Sequence, residues 1–279
     1  MKTLKDKVAA ITGAASGIGR ATALLLAKQG CHVALSDVNA EAVDATAAAC
    51  RVLGVRATSK KVDVANREAV YAWADDVVRE HGHVNVILNN AGVALAATVE
   101  TMEYPDFEWL MGINFWGVVY GTKAFLPHIK RAGEGSIVNV SSIFGLLGIP
   151  TQSAYNAAKF AVKGFTESLR EELDIEGSNI GVTVVHPGGI KTNIARAARV
   201  TESKGMVGAN STRDFEKSFI TTAESAAEAI VEGIQKNRHR VLIGIDAKAM
   251  DLMQRLLPSG YQSIVVAGSK LRRKRFDAL

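Results

Sequence analysis

Tyr155 and Lys159 are the residues whose types and spacing could do chemistry in this chain. They lie four apart in the segment 153–172, where alanines and the absence of proline predict a helix, so both side chains leave the same helical face. A cation about 4 Å from a phenol stabilises the phenolate by roughly 4 kcal/mol at an effective dielectric constant near ~20. Because free tyrosine has a pKa near ~10, Lys159 is expected to bring the pKa of Tyr155 towards neutrality.

Ser142 closes an apolar run, residues 136–142, that predicts a buried strand. Its hydroxyl is therefore expected at the carboxyl end of a strand, where open α/β sheets bind ligands. A hydroxyl donor, a tunable phenol and a lysine are the groups that reversible proton transfer at a carbonyl requires. An isolated Tyr-x-x-x-Lys is more often an ordinary exposed helix pair, so this interpretation depends on the rest of the chain.

A glycine-rich turn follows the first predicted strand, residues 8–12, and precedes a helical run at 20–29. Its glycines are Gly13, Gly17 and Gly19, in the spacing Gly-x-x-x-Gly-x-Gly. Glycines between a strand and a helix let the backbone approach a diphosphate, whose charge meets the helix N-terminus. The flanking strand and helix make a dinucleotide site the better interpretation, although many glycine turns are simply turns.

Asp37 ends the second predicted strand, residues 32–37, and lies 18 residues after Gly19. An acid at this place can accept hydrogen bonds from both hydroxyls of the adenosine ribose and repels a 2′-phosphate, so it predicts a preference for NAD over NADP. Arg20 is the nearby cation that could answer such a phosphate. The alternative role for Asp37 is a cap for the helix predicted at 39–53.

Strands and helices alternate through most of the chain, which predicts right-handed crossovers and a parallel sheet. We predict an α/β fold: a single-domain Rossmann-type doubly wound parallel sheet over residues 1–245, with a C-terminal helical extension over 246–279. Poor periodicity at about 192–218 predicts a substrate lid inside the first region. The remaining strands are predicted at 56–62, 84–88, 136–142, 180–186 and 240–245, and the remaining helices at 67–82, 105–131, 153–172 and 224–236.

Composition limits the class of protein. Of the 279 residues, 48% are hydrophobic, which suits a sizeable core and excludes a disordered chain. Cys31 and Cys50 lack metal-ligand spacing, so we expect two reduced thiols, no metal site and a cytoplasmic protein. No apolar stretch approaches the ~20 residues of a spanning helix, and the N-terminus carries no apolar signal core.

The net charge of +5 is concentrated at the C-terminal end, where eight Lys/Arg and three Asp/Glu follow position 239. The basic cluster lies at 270–275, and because terminal clusters are commonly solvated we expect no nucleic-acid partner. Before it, residues 246–257 predict an amphipathic helix with Met250, Met253, Leu256 and Leu257 on one face. This extension could cover the substrate cleft, remake a subunit contact or rest on a membrane surface.

These motifs together resemble the classical short-chain dehydrogenase/reductase family over about residues 5–245, in the family's order and spacing. The resemblance implies that Tyr155 is the general acid/base and that Ser142 positions the substrate oxygen. It also implies that Lys159 binds the nicotinamide ribose and lowers the pKa of the phenol, and that Asn114 holds a water in a proton relay. The matching motifs are Thr12 with the glycine turn, Asn89-Asn90-Ala91-Gly92, Asn114, Ser142 with Tyr155-x-x-x-Lys159, and Pro187-Gly188.

The resemblance also assigns the cofactor site and implies a homodimer or tetramer built on the helices of Asn114 and Tyr155. Asp63 and Val64 would contact adenine, although from the residues alone Asp63 could equally cap the next helix. Thr192 would contact the nicotinamide carboxamide. The predicted cofactor residues are Gly13, Ser16, Gly17, Ile18, Gly19, Asp37, Asp63, Val64, Asn90, Ala91, Gly92, Tyr155, Lys159, Pro187, Gly188, Ile190 and Thr192.

The loops expected around the reacting carbon, residues 143–150 and 94–97, carry no charge, which predicts a hydrophobic secondary alcohol or ketone as substrate. The alternatives are a reductase of 3-oxoacyl thioesters or other anionic carbonyl compounds, and a non-catalytic cofactor-sensing protein on the same fold. The predicted substrate contacts are Ser142, Phe144, Leu147, Tyr155 and Gly189. In the lid, Ile194, Met206, Val207 and Phe215 could wall the pocket, whereas Arg196, Arg199 and Lys204 could face either water or an anionic substrate.

Overall fold

The structure is a computed structural model that describes residues 1–192, 194, 198–201 and 219–276. Most of the lid predicted at 192–218 therefore lies outside the described residues. This holds for the predicted wall residues Met206, Val207 and Phe215 and for Arg196 and Lys204.

A seven-stranded parallel sheet forms the centre of the described chain, in the strand order β3-β2-β1-β4-β6-β7-β9. The chain winds outwards from β1 in both directions, which confirms the doubly wound prediction. A separate parallel pair, β5 and β8, joins the segment after β4 to the described part of the predicted lid. The strands are β1 Val8–Thr12, β2 His32–Asp37, β3 Ala57–Lys61, β4 Val86–Asn89, β5 Leu95–Ala96, β6 Gly135–Val140, β7 Ile180–Pro187, β8 Arg199–Val200 and β9 Arg240–Ile243.

Helices cover both faces of this sheet, which is why its inner strands read as continuous apolar runs. Helices α1, α2 and α7 pack on one face, and α3, α5 and α6 pack on the other. The helices are α1 Gly17–Lys28, α2 Ala40–Val52, α3 Arg67–His81, α4 Tyr104–Met111, α5 Gly117–Arg131, α6 Ser153–Ile175, α7 Ala223–Gln235, α8 Ile245–Leu256 and α9 Tyr261–Phe276.

The helix predicted at 105–131 is not one continuous α-helix. A π-helix over Gly112–Trp116 separates α4 from α5, and the fully buried Asn114 lies within it. The Asn114 amide donates to the Val93 carbonyl at 2.8 Å and accepts from the Val93 N–H at 2.8 Å. The buried amide is thus satisfied by a second segment of the chain, in a widened turn that the sequence periodicity does not reveal.

The C-terminal extension forms two helices rather than one helix and a tail. The first matches the predicted amphipathic helix, and the basic cluster at 270–275 lies within the second. Pro258 and Gly260 lie between the two helices and account for the break. In the part of the chain that the structure describes, no helix is long and apolar enough to cross a membrane.

A buried chain of polar side chains joins the sheet to two covering helices. Asn89 of β4 donates to the Thr122 hydroxyl at 3.1 Å and to the Asn139 amide oxygen at 2.8 Å. Asn139 in turn donates to the Thr166 hydroxyl at 3.0 Å. Gly121 of α5 lies directly against this chain, because a Cβ built on it would overlap the amide oxygen of Asn89.

We expect Gly121→Ala to lower the free energy of unfolding by about 1–3 kcal/mol, since the added methyl group forces buried polar groups apart. Gly164→Ala is the matched control, because Gly164 lies inside α6 with nothing within 4 Å of its built Cβ. Alanine there should be neutral or stabilise by up to about 1 kcal/mol. Urea unfolding measures both, and equal stability of the two variants would contradict the close packing of α5 on β4.

Candidate active site

Helix α6 presents Tyr155 and Lys159 at the carboxyl end of β6. The side chain of Lys159 is buried, and its Nζ donates to the Val140 carbonyl at 2.9 Å. The same Nζ lies 5.6 Å from the centre of the Tyr155 ring. The structure therefore places the phenol and the ammonium group on one side of the helix, as the spacing of four predicts.

Ser142 follows β6 and begins a short 3₁₀-helix. Its Oγ accepts a hydrogen bond from the Phe144 N–H at 3.1 Å, and its side chain lies close enough to the Tyr155 hydroxyl to lower the pKa of that hydroxyl. Ser141 is turned away from the phenol, and its hydroxyl donates to the Lys159 carbonyl at 2.8 Å. Of the two adjacent serines, Ser142 is the one that the fold brings to the tyrosine.

The electrostatics of the pair differ from the expectation. Burial raises the pKa of Tyr155 to about 12, and the hydrogen bond with Ser142 opposes this rise only in part. Burial also lowers the pKa of Lys159 to about 8. The rise in the pKa of Tyr155 is opposite to the predicted direction, because desolvation of the phenolate by burial is the largest effect on its pKa. The role of Lys159 in lowering the pKa of the phenol stays a prediction.

Asn114 and Gly92 lie next to Lys159. A Cβ built on Gly92 would be 3.2 Å from Asn114 Oδ1 and 3.7 Å from Lys159 Nζ, so the turn after β4 meets both side chains. Because the amide of Asn114 is bonded at both ends to Val93, this side chain is held in one orientation near the lysine. Its part in a proton relay stays a prediction.

The glycine turn between β1 and α1 is shaped for a close approach. Gly13 and Gly17 have φ angles of 65° and 53°, in the left-handed region, and a Cβ on Gly19 would overlap the Gly13 carbonyl oxygen. Ser16 stands at the N-cap of α1 without a side-chain hydrogen bond, and the first turn of α1 holds no acid. No side chain caps the first N–H groups of α1, and the glycines before them let a ligand approach the backbone closely. Both features fit the diphosphate of a dinucleotide.

The turn after β4 is bonded to this glycine turn. The Asn90 amide donates to the carbonyl oxygens of Thr12 and Gly13 at 3.0 and 3.1 Å, and the Ala91 N–H donates to the Thr12 hydroxyl at 3.0 Å. The predicted cofactor residues Asn90 and Ala91 thus lie against the predicted diphosphate turn.

Asp37 lies beside the glycine turn at the end of β2. Its Oδ2 accepts from the Ala15 N–H at 3.1 Å, and its Oδ1 accepts from the Asn39 N–H at 3.0 Å. The N-cap of α2 is Asn39, whose side chain accepts from the Ala42 N–H. Capping of that helix therefore does not account for Asp37.

Asp63 and Val64 follow β3 along the same edge of the sheet. The exposed Asp63 carboxylate accepts from the Ala65 N–H at 2.9 Å, whereas α3 is capped by Asn66. The open alternative of Asp63 as the helix cap is therefore wrong. The side chain of Val64 is buried against Gly117 of α5, and its contact with adenine stays a prediction.

The segment after β7 lies against both the glycine turn and the C-terminal extension. A Cβ built on Gly17 would be 3.1 Å from Thr192 Cγ2, so Thr192 lies over the predicted diphosphate site. The Gly189 N–H donates to Asp246 Oδ2 at 2.6 Å, and a Cβ on Gly188 would overlap the same carboxylate. The strand-end glycines thus make room for an acid from α8.

The predicted substrate contacts Phe144, Leu147 and Gly189 differ in their surroundings. The Phe144 ring meets the Tyr155 ring edge-on, with 6.1 Å between ring centres. Leu147 is 1% exposed, and its contact with the substrate stays a prediction. Gly189 lies beside Phe219, whose ring a Cβ on that glycine would overlap.

Arg199 is the lid cation that the structure describes, and its guanidinium is engaged within the protein. Its Nη1 lies 2.8 Å from Asp106 Oδ1, and its Cζ lies 3.6 Å from the centre of the Trp109 ring. An ion pair and a cation–π contact hold it in this orientation. Arg199 therefore already has an acidic partner and an aromatic partner within the protein.

His186, at the end of β7, is a positioning residue that the sequence analysis missed. Its Nδ1 donates to the Ser142 carbonyl at 2.8 Å, which fixes the backbone that carries the Ser142 hydroxyl. Burial lowers the pKa of His186 to about 4, so the imidazole is neutral. Its place at a strand end gave no signal of this contact, because the two residues are 44 positions apart.

In the described part of the chain, neither the cysteines nor a metal site adds to the chemistry of the candidate active site. Among residues 1–192, 194, 198–201 and 219–276, no group of three or more His, Cys, Asp or Glu is placed to hold a metal ion. Cys31 and Cys50 are free and buried, and burial raises their pKa values to about 12 and about 11. Both thiols are therefore protonated and unreactive at neutral pH.

Comparisons with known proteins bear on this geometry. The model of the short chain dehydrogenase family matches residues 7–203. A Mycobacterium tuberculosis protein named "Putative oxidoreductase SadH" is 47% identical over 273 residues, covering 96% of this chain and 97% of that protein. A C alpha-dehydrogenase of Sphingobium sp. is 36% identical over 248 residues, covering 85% and 80%. A short-chain dehydrogenase/reductase of Burkholderia phymatum, solved in complex with NAD, has a TM-score of 0.85 at 30% identity, covering 92% of this chain and 95% of that chain.

We expect Lys159→Met to change how folding stability depends on pH. Burial lowers the pKa of Lys159 from 10.5 to about 8, so between these values the unfolded chain binds more protons than the folded chain. Lys159 therefore makes the free energy of unfolding rise from about pH 8 to 10.5, and the methionine variant should lack this rise. Urea unfolding across this range measures it, with Lys123→Met, at an exposed lysine of α5, as control. Parallel profiles for all three proteins would contradict the lowered pKa of the buried lysine.

Proposed function

The chain belongs to the short-chain dehydrogenase/reductase family, and from this premise we propose that it is an NAD-dependent oxidoreductase that interconverts a hydrophobic secondary alcohol and its ketone. The observation that carries the proposal is that the Ser142 hydroxyl lies beside the Tyr155 hydroxyl, with the buried Lys159 Nζ 5.6 Å from the centre of the Tyr155 ring. Proteins of this family use NAD(P), bind small carbonyl or alcohol compounds and generally form oligomers.

The roles of the two hydroxyls follow from their chemistry. In reduction, the Ser142 hydroxyl donates a hydrogen bond to the carbonyl oxygen, and Tyr155 gives its proton to the same oxygen; oxidation reverses both steps. The nicotinamide, when bound, supplies or accepts the hydride. A pKa of about 12 keeps Tyr155 protonated at neutral pH, which is the form that reduction needs.

Asp37 supports NAD as the preferred cofactor. The N–H groups of Ala15 and Asn39 hold its carboxylate beside the glycine turn. A 2′-phosphate on the adenosine ribose would therefore be repelled by this negative charge. The Burkholderia phymatum structure, with 30% identity, was also solved with NAD.

Two features support a hydrophobic substrate over an anionic one. The Phe144 ring borders the Tyr155 ring, and the uncharged segment 143–150 follows the serine. Arg199 is held by Asp106 and Trp109 and does not add a free positive charge. Apolar surface of this kind gains about 25 cal/mol for each Å² that a substrate buries, whereas unpaired substrate hydroxyls cost roughly 1–3 kcal/mol each.

Exposed aromatic side chains on α5 and α6 support a dimer or tetramer. Trp116, at the junction with α5, is 47% exposed and stacks on Tyr120 with ring centres 5.8 Å apart. Phe160 of α6 is 44% exposed. Large rings left in water are typical of surfaces that another protein chain covers, and we propose self-association through these helices.

We expect Asp37→Asn to reduce the preference for NAD about tenfold, measured as the ratio of kcat/KM for NAD to kcat/KM for NADP. The amide keeps an acceptor oxygen for one of the two N–H groups, that of Ala15 or that of Asn39, and removes the charge that repels a 2′-phosphate. Asp44→Asn, at an exposed acid of α2, controls for the change in net charge and should leave the ratio unchanged. A preference of the unmodified enzyme for NADP would contradict the assignment and point to Arg20 as the residue that answers the phosphate.

The proposed function is tested with a substrate panel at a fixed NAD concentration, following NADH absorbance. We expect higher kcat/KM for cyclohexanol, a phenyl alkyl carbinol or a hydroxysteroid than for sorbitol. Tyr155→Phe should remove nearly all turnover and leave NAD binding close to that of the unmodified protein, because the phenol acts on the substrate proton. Preference for sorbitol would overturn the substrate assignment, and substantial turnover by Tyr155→Phe would overturn the mechanism.

A further inference from the structure

We propose that Tyr261, the first residue of α9, positions the substrate loop, defined here as residues 143–152 between the serine and the tyrosine of the site. Through this contact the C-terminal extension would set which substrates fit. The inference rests on the proposed function, since it names a residue that determines specificity at that same site. It assigns a role to a part of the chain that follows the last strand of the sheet.

The backbone of the substrate loop is held from two sides. From α6, the Asn156 amide donates to the carbonyl oxygens of Phe144 and Leu147 at 2.7 and 2.9 Å and accepts from the Ile149 N–H at 3.1 Å. Between these points, the Gly148 N–H donates to the Tyr261 hydroxyl at 3.1 Å. One side of the loop is therefore fixed by the helix that carries Tyr155, and the other by the extension.

Tyr261 is also the residue that seats α9 on the rest of the chain. It is 7% exposed, whereas Val265 is half-buried and the other side chains of 262–271 are exposed. A helix attached mainly through its first residue depends on that residue for its position. The hydroxyl that meets Gly148 is thus carried by the side chain that anchors the helix, so the seating of α9 and the position of the loop are linked.

A second contact brings the extension to the opposite side of the site. Asp246, in the first turn of α8, accepts from the Gly189 N–H at 2.6 Å, in the turn that follows β7. Helices α8 and α9 therefore contact the turns that follow both β6 and β7. This placement favours a role at the active site among the three alternatives that the sequence left open for the extension.

Loss of the Tyr261 hydroxyl is expected to affect substrate binding more than the residues that transfer the proton. Phe144, in the same loop, meets the Tyr155 ring edge-on, so a shift of the loop moves a wall of the substrate site. Lys159 and the Ser142 carbonyl are held by Val140 and His186, outside the loop, and would stay in place. Loosening the loop should therefore weaken substrate binding more than it slows the chemical step.

The test is Tyr261→Phe in the full-length protein, which keeps the ring and removes the hydroxyl. Tyr104→Phe is the matched control, because Tyr104 is 85% exposed at the start of α4. Hydrogen–deuterium exchange of the peptide covering 143–152 is measured first, with neither cofactor nor substrate added. We expect exchange there to become about two- to tenfold faster in Tyr261→Phe, the range expected for loss of one hydrogen bond, and to stay unchanged in Tyr104→Phe.

Steady-state kinetics supply the second readout. For the bulkiest substrate that the unmodified enzyme accepts, we expect KM to rise about two- to tenfold, with kcat within about twofold and NAD binding unchanged. Unchanged exchange in the loop would overturn the contact. Faster exchange without a change in KM, or an equal loss of kcat for substrates of every size, would overturn the role in specificity.

Failure of the proposed function would be seen in a different measurement, the substrate panel with the unmodified enzyme. If the panel shows that it prefers a sugar alcohol or an acyl thioester, the proposed substrate class is wrong. The comparison of Tyr261→Phe with the unmodified protein is then made on that substrate, and the same outcomes decide the role of Tyr261.

Discussion

Lys159 makes hydrogen bonds to the end of β6 through both its side-chain Nζ and its backbone carbonyl, and the geometry of the site depends on these two bonds. Its Nζ donates to the Val140 carbonyl at 2.9 Å, while its own carbonyl accepts from the Ser141 hydroxyl at 2.8 Å. Helix α6 cannot slide along β6 without leaving these buried groups unpaired, which costs more than an exposed hydrogen bond gains. The register of Tyr155 against Ser142 is therefore fixed by the core rather than by the surface loops.

The cofactor half of the site shares this rigidity, because the turns after β1 and β4 are bonded to each other. Asn90 spans them by donating to the carbonyl oxygens of Thr12 and Gly13, and Gly92 at the end of the same turn lies near Lys159. The candidate diphosphate turn and the proposed proton-transfer residues thus belong to one continuous edge of the sheet. Parallel strands make this possible, since all their carboxyl ends meet there.

Much of this arrangement could be predicted from local patterns, and the rest depends on long-range contacts. Apolar runs and helical spacing indicate the doubly wound sheet, the glycine turn and the shared face of Tyr155 and Lys159. The π-helix at Asn114 and the burial of Leu147 follow from tertiary contacts that periodicity does not record. The pKa of Tyr155 depends on burial, which the spacing of two residues cannot give. The contact of Tyr261 with Gly148 spans 113 positions and leaves no local signal.

The hydrogen bonds of the substrate loop leave its backbone with little to offer a ligand. The carbonyl oxygens of Phe144 and Leu147 and the N–H groups of Gly148 and Ile149 already have partners within the protein. A molecule that touches residues 144–149 at these points meets mainly hydrocarbon surface, and dispersion contacts respond to volume and shape rather than to polarity. If the proposed function holds, the two substituents of an unsymmetrical ketone would be distinguished by bulk, and the handedness of the alcohol product would depend on steric fit.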